Sequence, residues 1–466
     1  MGKKKNLSLS RRSFFKAAGA GIAGAAAGGI TPGLSGAGQE AQKGQQPNIV
    51  LMIADDTGWR DVGYNGSEIK TPNIDRMARQ GAMMEQFYAC PTCSPTRASI
   101  LMGTPPSRYG ILTPIAGRSK LSLPTEYGTL ASLLGDAGYS TAQIGKWHLG
   151  LRPEVGPRRY GFDSSYGYLH GQIDQYTHIY KNGDRSWHRN EEFIDEQGHA
   201  TDLIAGEAVK LIRQSSSSQP FFIYTAFSVP HYPVQEQDRW VKPYEESIAN
   251  ESRRLYAASM AHMDDAIGRV LGALEQKNLA SDTLVIFISD NGGQKDWEAG
   301  SGEYDLRHGP YDVLGDNRPF RDWKGSVYEG GVRVPAVFYW PGKIKARKVG
   351  FASHVMDFAP TLATIARAGV PPQMQVEGID IGPALYGKEM QEERTIYWNT
   401  GRQLAVRHGN WKLVHHGDTV NQGKSELYNI ALDPYEKNDL AGEKITLTAQ
   451  LREIMARQRA MDRIPE

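Results

Sequence analysis

An α/β layered fold built on a mostly parallel sheet is what this sequence of 466 residues predicts, and three observations predict it. Short apolar, β-branched runs recur along the chain. Each runs out into Asp, Asn or His, and an amphipathic helix separates two of them. Buried strands alternating with such helices assemble into parallel sheets covered on both faces, and ligands gather beyond the carboxyl ends of the strands.

Taken in order, Lys3, Lys4, Lys5, Arg11, Arg12 and Lys16 precede an Ala/Gly-rich run from Ala17 to Ile30 and a small-residue stretch ending near Ala37 or Ala41. A basic region, a weakly apolar region and an A-x-A-like site predict a cleaved signal peptide over residues 1–42, and the paired arginines point to the twin-arginine translocase. A run of 14 residues falls short of the roughly 20 that cross a bilayer, so no stable membrane anchor is expected. The expectation is an exported bacterial protein, periplasmic or secreted.

Asn48 to Ile53, bounded by Pro47 and Asp55-Asp56, reads as a buried strand; Phe221 to Phe227 and Thr283 to Ile288 repeat the theme, ending in Pro230-His231 and in Asp290-Asn291-Gly292-Gly293. Between the last two, Tyr256, Met260, Met263, Ile267, Val270 and Leu274 recur every three or four residues, the spacing of one helical face. After about residue 395 the pattern shifts to short alternating stretches, Leu404–Arg407, Trp411–Val414 and Glu426–Asn429, followed by a helix from about Thr446 to Arg459. A small antiparallel sheet with a packing helix is expected there. The predicted division is a main α/β domain over 43–394 and an α+β subdomain over 395–466.

Charge and cysteine content exclude several functions. The whole chain carries 53 Lys and Arg against 52 Asp and Glu, but the first 42 residues hold six basic residues against Glu40 alone, which leaves 47 basic against 51 acidic for the remainder. A nucleic-acid-binding body needs basic excess and is excluded. Cys90 and Cys93 are the two cysteines, too few for a disulfide framework or a structural zinc site.

The strand ends supply Asp55, Asp56, Asp290 and Asn291. Taken singly such residues cap helices or end turns; recurring at successive strand ends, their oxygens also suit a hard divalent cation. On spacing alone, Cys90 and Cys93 fit either a redox pair or buried, inert thiols. The segment Cys93-Ser94-Pro95-Thr96-Arg97-Ala98-Ser99-Ile100-Leu101-Met102-Gly103 goes further, because its C-x-P-x-R core resembles the signature of the formylglycine-dependent type I sulfatases. Gly138-Tyr139-Ser140-Thr141 with Gly145-Lys146-Trp147-His148-Leu149-Gly150 resembles the second signature of that family. The likeness runs from about Asn48 into the C-terminal subdomain. Several stretches, among them Gly66 to Pro72, Arg159 to Asp163 and Trp323 to Arg333, are similar to the arylsulfatase B (N-acetylgalactosamine-4-sulfatase) subgroup.

That resemblance implies an alkaline-phosphatase-like fold, a large mixed, mostly parallel sheet sandwiched by helices, with a smaller C-terminal antiparallel sheet plus helix. It implies sulfate ester hydrolysis through Cys93 oxidised to Cα-formylglycine by a formylglycine-generating or equivalent maturation enzyme. One hydroxyl of the hydrated aldehyde attacks sulfur, the alcohol leaves a covalent sulfo-enzyme, and deprotonation of the other hydroxyl expels sulfate. Carried over by position, Asp55, Asp56, Asp290, Asn291 and modified Cys93 hold Ca²⁺, with Mg²⁺ open on ligand type alone. Arg97 holds the diol, Lys146 and Lys324 grip the sulfate, His148 takes the diol proton and His231 protonates the leaving alcohol. Without the resemblance the two lysines read as surface residues and His231 as a loop histidine. Asp174, Tyr176 and His178, in the segment Gln172 to His178, and the insertion Trp297 to Asn317 lie where relatives build substrate pockets. The expected substrate is a sulfated saccharide of galactose or N-acetylgalactosamine type. Phosphonate or phosphate monoester hydrolysis, and a non-catalytic glycan-binding protein with unmodified Cys93, stay open.

Overall fold

Five parallel strands form the centre of a ten-stranded sheet, in the spatial order Thr283–Ser289, Asn48–Ala54, Phe221–Ala226, Ser140–Lys146 and Ser164–Tyr168. Antiparallel strands extend both edges, Ala336–Tyr339 on one side and Trp187–Arg189 on the other. The computed structural model describes residues 46–300, 302–390 and 393–463; the leader expected over 1–42 lies outside the described residues. Gln46–Glu466 form one compact unit. Among the described residues no helix is long and apolar enough to cross a membrane.

The central strands are apolar throughout because both faces are covered. Alternate side chains of Asn48–Ala54 feed two separate cores: Ile49, Leu51 and Ile53 join Ala98, Ile100 and Leu101, while Val50, Met52 and Ala54 join Tyr256, Met260 and Met263. This is the period-two alternation of a strand with apolar layers on either side. The predicted amphipathic helix spans Glu251–Gln276, and its six periodic residues are all buried. Asn250 caps it by accepting the Arg253 N–H at 2.8 Å.

One central strand was not expected from sequence. Ser140–Lys146, inside the second signature, carries Ser, Thr and Gln among its seven residues and so lacks an apolar run. Its Gly145 sits at φ 88°, and a Cβ there would lie 1.8 Å from the Ala226 carbonyl oxygen. Glycine is required for that close approach to the neighbouring strand.

The C-terminal sheet is a separate antiparallel meander, Thr395–Asn399, Gln403–His408, Trp411–His416 and Ser425–Asn429. One face packs Leu404, Leu413 and Leu427 against Leu451 and Met455 of the helix Ile445–Ala460. The other face packs Trp398, Val414 and Tyr428 against Tyr88, Tyr328 and Val332. Buried among these rings, Lys412 Nζ lies 2.9 Å from Glu329 and 2.9 Å from Glu436, with no side-chain exposure in any of the three. A charge buried without a partner costs several kcal/mol, so this triad binds the small sheet to the main body.

Candidate active site

The carboxyl ends of four neighbouring parallel strands lead into the site. Thr283–Ser289 runs into Asp290 and Asn291, Asn48–Ala54 into Asp55 and Asp56, Phe221–Ala226 towards His231, and Ser140–Lys146 ends at Lys146 with His148 two residues on. The helix Cys93–Met102, buried along its whole length, opens on Cys93 and places Arg97 one turn later on the same face. Lys324 enters from the turn preceding the short helix Glu329–Val332. Ten of the positions singled out from sequence therefore meet at one place: Asp55, Asp56, Cys93, Arg97, Lys146, His148, His231, Asp290, Asn291 and Lys324.

Their contacts form a network of alternating charge. Arg97 donates to Asp290 Oδ2 at 2.7 Å and to the Lys146 carbonyl at 3.0 Å. Lys146 Nζ lies 2.7 Å from Asp55 Oδ2, and Lys324 Nζ 2.7 Å from Asp56 Oδ2. Lys146 is fully buried and Lys324 half-buried, with 9% of its side chain exposed, so neither is a surface residue. Asn291 Nδ2 donates to Asp56 Oδ1 at 2.8 Å, and the Asp56 N–H donates to Asp290 Oδ1 at 3.2 Å. Asp56 and His148 adopt positive φ of 71° and 58°, a conformation that costs a non-glycine residue about 1 kcal/mol or more and clusters at functional sites.

Burial and the nearby Asp290 push the Asp55 carboxyl up, because three buried carboxylates repel one another. Burial works the same way on Asp56, but Lys324 and His231 outweigh it and hold that group at about 2. Burial raises the Cys93 thiol, against the pull of Lys146 and Lys324, and pushes Cys90 up to about 12. A redox dithiol needs the opposite shift, and both cysteines are free. The redox reading therefore has no support here.

The two histidines differ in tautomer. His148 Nε2 lies 2.8 Å from the Ile115 carbonyl and must donate there, which leaves Nδ1 as a lone-pair acceptor, buried without a partner. His231 donates from Nδ1 to the Tyr232 carbonyl at 2.6 Å, and its Nε2 stands 3.7 Å from Asp56 Oδ2. Burial lowers both imidazoles, with Lys146 adding to the effect on His148 and Lys324 on His231.

The donor set fits a hard cation. Asp55 Oδ1 and Asn291 Oδ1 are buried with no hydrogen-bond partner, and ligand atoms of Asp55, Asp56 and His231 lie within 4.8 Å of one another. Both Asp290 oxygens already accept a hydrogen bond, yet a carboxylate oxygen has lone pairs to spare. Carboxylate and amide oxygens are the ligands that Ca²⁺ and Mg²⁺ take.

The three residues expected in a substrate pocket are used differently from one another. Asp174 is buried and accepts the Tyr176 and Thr177 N–H groups at 3.0 and 2.8 Å, while its Oδ2 faces Gln235 at 3.1 Å and His308 at 3.0 Å. His178 is buried, stacked on Trp187 and within 3.0 Å of the Gly198 carbonyl. Tyr176 is 38% exposed and meets His199 edge-on. Sequence reasoning missed Tyr232, whose ring lies against His231 and stacks on Trp297 at 4.5 Å, with Lys324 Nζ 5.9 Å from its centroid. It also missed His308, which the insertion brings to Asp174. Aromatic side chains directly beside His231 and inside the Trp297 to Asn317 insertion were the available signal.

Gly171 closes the back of His148. A Cβ there would lie 2.5 Å from His148 Cε1 and 2.6 Å from Nε2, so Gly171→Ala must push the ring off the Ile115 carbonyl. Misplacing a reacting group by about 1 Å costs on the order of a hundredfold. We expect kcat on a sulfate ester to fall by at least about tenfold, with the melting temperature within about 4 °C of wild type. Unchanged steady-state kinetics would show that the ring does not need this place.

Comparison with known proteins agrees with this geometry. The family model described as Sulfatase matches residues 47–368, and the one described as N-sulphoglucosamine sulphohydrolase, C-terminal, matches 320–461. Arylsulfatase J of Mus musculus is 31% identical, over 85% of this chain and 73% of its own length. The N-acetylgalactosamine-6-sulfatase of Homo sapiens is 31% identical, over 81% of this chain and 74% of its own. Among solved structures, Ps i-CgsB in complex with k-i-k-neocarrahexaose superposes with a TM-score of 0.80 at 29% identity, covering 91% of this chain and 94% of that one. Family model, relatives and fold coincide with the strand-end site: the chain belongs to the sulfatase family, and it is a sulfuric ester hydrolase.

Proposed function

We propose that the substrate is a sulfated carbohydrate, with the sulfate ester on a galactose or N-acetylgalactosamine type unit of a polysaccharide or oligosaccharide, and that Cys93 acts after conversion to Cα-formylglycine. The observation that carries the reading is Cys93 at the head of a wholly buried helix, among the buried Lys146, the half-buried Lys324 and two histidines that each leave one ring nitrogen for chemistry. The kinship with an N-acetylgalactosamine-6-sulfatase and with a structure holding a neocarrahexaose supports the sugar class.

In this reading Asp55, Asp56, Asp290, Asn291 and modified Cys93 hold Ca²⁺ or Mg²⁺. A bound divalent ion supplies charge neutralisation for the buried carboxylates and polarises sulfate oxygen. Lys146 and Lys324 each direct one of three N–H bonds to an aspartate and keep two for sulfate oxygens. Arg97 keeps Nε, buried and unpartnered, beside Cys93. His148 Nδ1 accepts the proton of the hydroxyl whose deprotonation expels sulfate, and His231, acting as the imidazolium with Nδ1 held by the Tyr232 carbonyl, delivers the Nε2 proton to the leaving alcohol. Tyr232, which borders His231 and Lys324, and the linked pair Asp174 and His308 are assigned to the sugar, together with Tyr176 and His178 of the same segment as Asp174. The division into a catalytic part over 43–394 and a subdomain over 395–466, maturation by a formylglycine-generating enzyme and export by the twin-arginine route belong to the same reading.

Matched assays of an aryl sulfate and an aryl phosphate test the reaction, and a panel of defined 4-O- and 6-O-sulfated galactose and N-acetylgalactosamine oligosaccharides tests the substrate. Preference for the phosphate, or no desulfation across the panel, would overturn the reading.

A further inference from the structure

A second cluster of titratable groups lies outside the site just described. His199, Glu236 and His262 bring ligand-type atoms within 4.8 Å of one another. The hydrogen bonds argue against a metal there. His199 Nδ1 accepts the Thr201 N–H at 3.2 Å, capping the helix Ala200–Gln214, so its proton sits on Nε2 and is donated to the Gln235 carbonyl at 2.9 Å. Neither nitrogen is left with a lone pair for a cation. His262 faces a carboxylate on both sides: Nδ1 is 2.9 Å from Glu236 Oε2 and Nε2 is 3.3 Å from Asp202 Oδ1. Trp240 stacks on its ring at 4.8 Å, and Arg269 holds Asp202 at 2.7 Å. Burial alone would lower the His262 imidazole, but Asp202 and Glu236 outweigh it and raise it to about 9. The ring is hydrogen-bonded to Glu236 through Nδ1 and ion-paired with Asp202 through Nε2, which makes no aligned hydrogen bond.

What this cation holds is the segment that carries His231. Glu236 is five residues beyond His231, and the chain between them is tied at Val234 and Gln235. The Tyr311 hydroxyl donates to the Val234 carbonyl at 3.1 Å, and His199 holds the Gln235 carbonyl. The Gln235 side chain accepts the Gln175 N–H at 2.7 Å and donates to Asp174 Oδ2 at 3.1 Å. At the other end the Asp55 N–H donates to the Val229 carbonyl at 3.1 Å.

We propose that His262 is a positioning residue: clamped between Asp202 and Glu236, it fixes the far end of the segment that presents His231 to the leaving group and, through Gln235, orients Asp174. Its kinetic consequence rests on the assignment of His231 as proton donor; its structural consequence does not.

The test compares His262→Gln, which is uncharged and carries both its N–H donors on one nitrogen and so cannot replace donors on opposite sides of the ring, with the double variant His262→Gln/Glu236→Gln, which removes the stranded anion together with its cation and keeps the fold measurable. Amide hydrogen exchange on peptides covering residues 230–237 should speed up in both, with peptides from the strand Thr283–Ser289 unchanged. Turnover of a sulfated sugar should fall by about tenfold to a hundredfold while an activated aryl sulfate loses no more than about threefold, since only the former needs the proton. Unchanged exchange over 230–237, or a stoichiometric bound metal lost on His262→Gln, would overturn the clamp. His231→Ala measured alongside separates the two readings: if it fails to discriminate between the esters the proton-donor role falls, and the exchange result still decides the clamp.

Discussion

Cys93→Ala should abolish turnover, by at least about a thousandfold, and leave the fold standing. The side chain lost is small and buried at the first turn of the helix Cys93–Met102, which is held by apolar contacts of Ala98, Ile100 and Leu101, so the stability cost should stay within about 2 kcal/mol. Circular dichroism and a melting curve check the fold, and desulfation of an aryl sulfate checks the activity. The wild-type chain provides the matching observation. Exchange of the thiol for an aldehyde removes H₂S and adds oxygen, a mass lower by about 18 Da, readable on the peptide containing Cys93. Activity retained in Cys93→Ala, or an active wild-type protein whose Cys93 is entirely thiol, would refute the formylglycine chemistry.

His231→Ala should separate substrates by leaving group. General acid catalysis contributes about 10² to 10⁴ where the departing oxygen is a poor leaving group, so a sugar sulfate should lose that much kcat/KM. An aryl sulfate with an acidic phenol leaves without a proton and should lose less than about tenfold. The split follows from the proposed role: with His231 Nδ1 committed to the Tyr232 carbonyl, Nε2, 3.7 Å from Asp56, is the nitrogen that must carry the transferred proton. Equal losses on both esters would reassign His231 to holding the sulfate.

The strand-end acids were legible in the sequence because each follows an unbroken apolar run, and the six periodic residues of Glu251–Gln276 were legible because one helical face is buried along its whole length. Ser140–Lys146 was not legible as a strand. Its interior position depends on Gly145 meeting the Ala226 carbonyl, a long-range contact that leaves no local pattern. The roles of Lys146 and Lys324 came from resemblance alone; nothing in their neighbours announces that each finds an aspartate more than ninety positions away, at 2.7 Å. The substrate side was legible least. Asp174 was singled out because its segment lies where relatives build substrate pockets, yet its oxygens are engaged by Tyr176, Thr177, Gln235 and His308, residues drawn from three separate stretches of chain.

The buried Lys412 has a consequence for anyone who shortens this chain. Glu329, one of its two anions, sits five residues past Lys324, and Trp398 on the same small sheet donates to the Ala89 carbonyl at 2.8 Å, four residues before Cys93. Deleting the last seventy residues would therefore strip support from both flanks of the reaction centre at once, while every residue assigned a chemical role remained in place. A clone carrying a late stop codon would score in a screen as a catalytic null, and its intact signatures would mislead a reader of the sequence into calling it active.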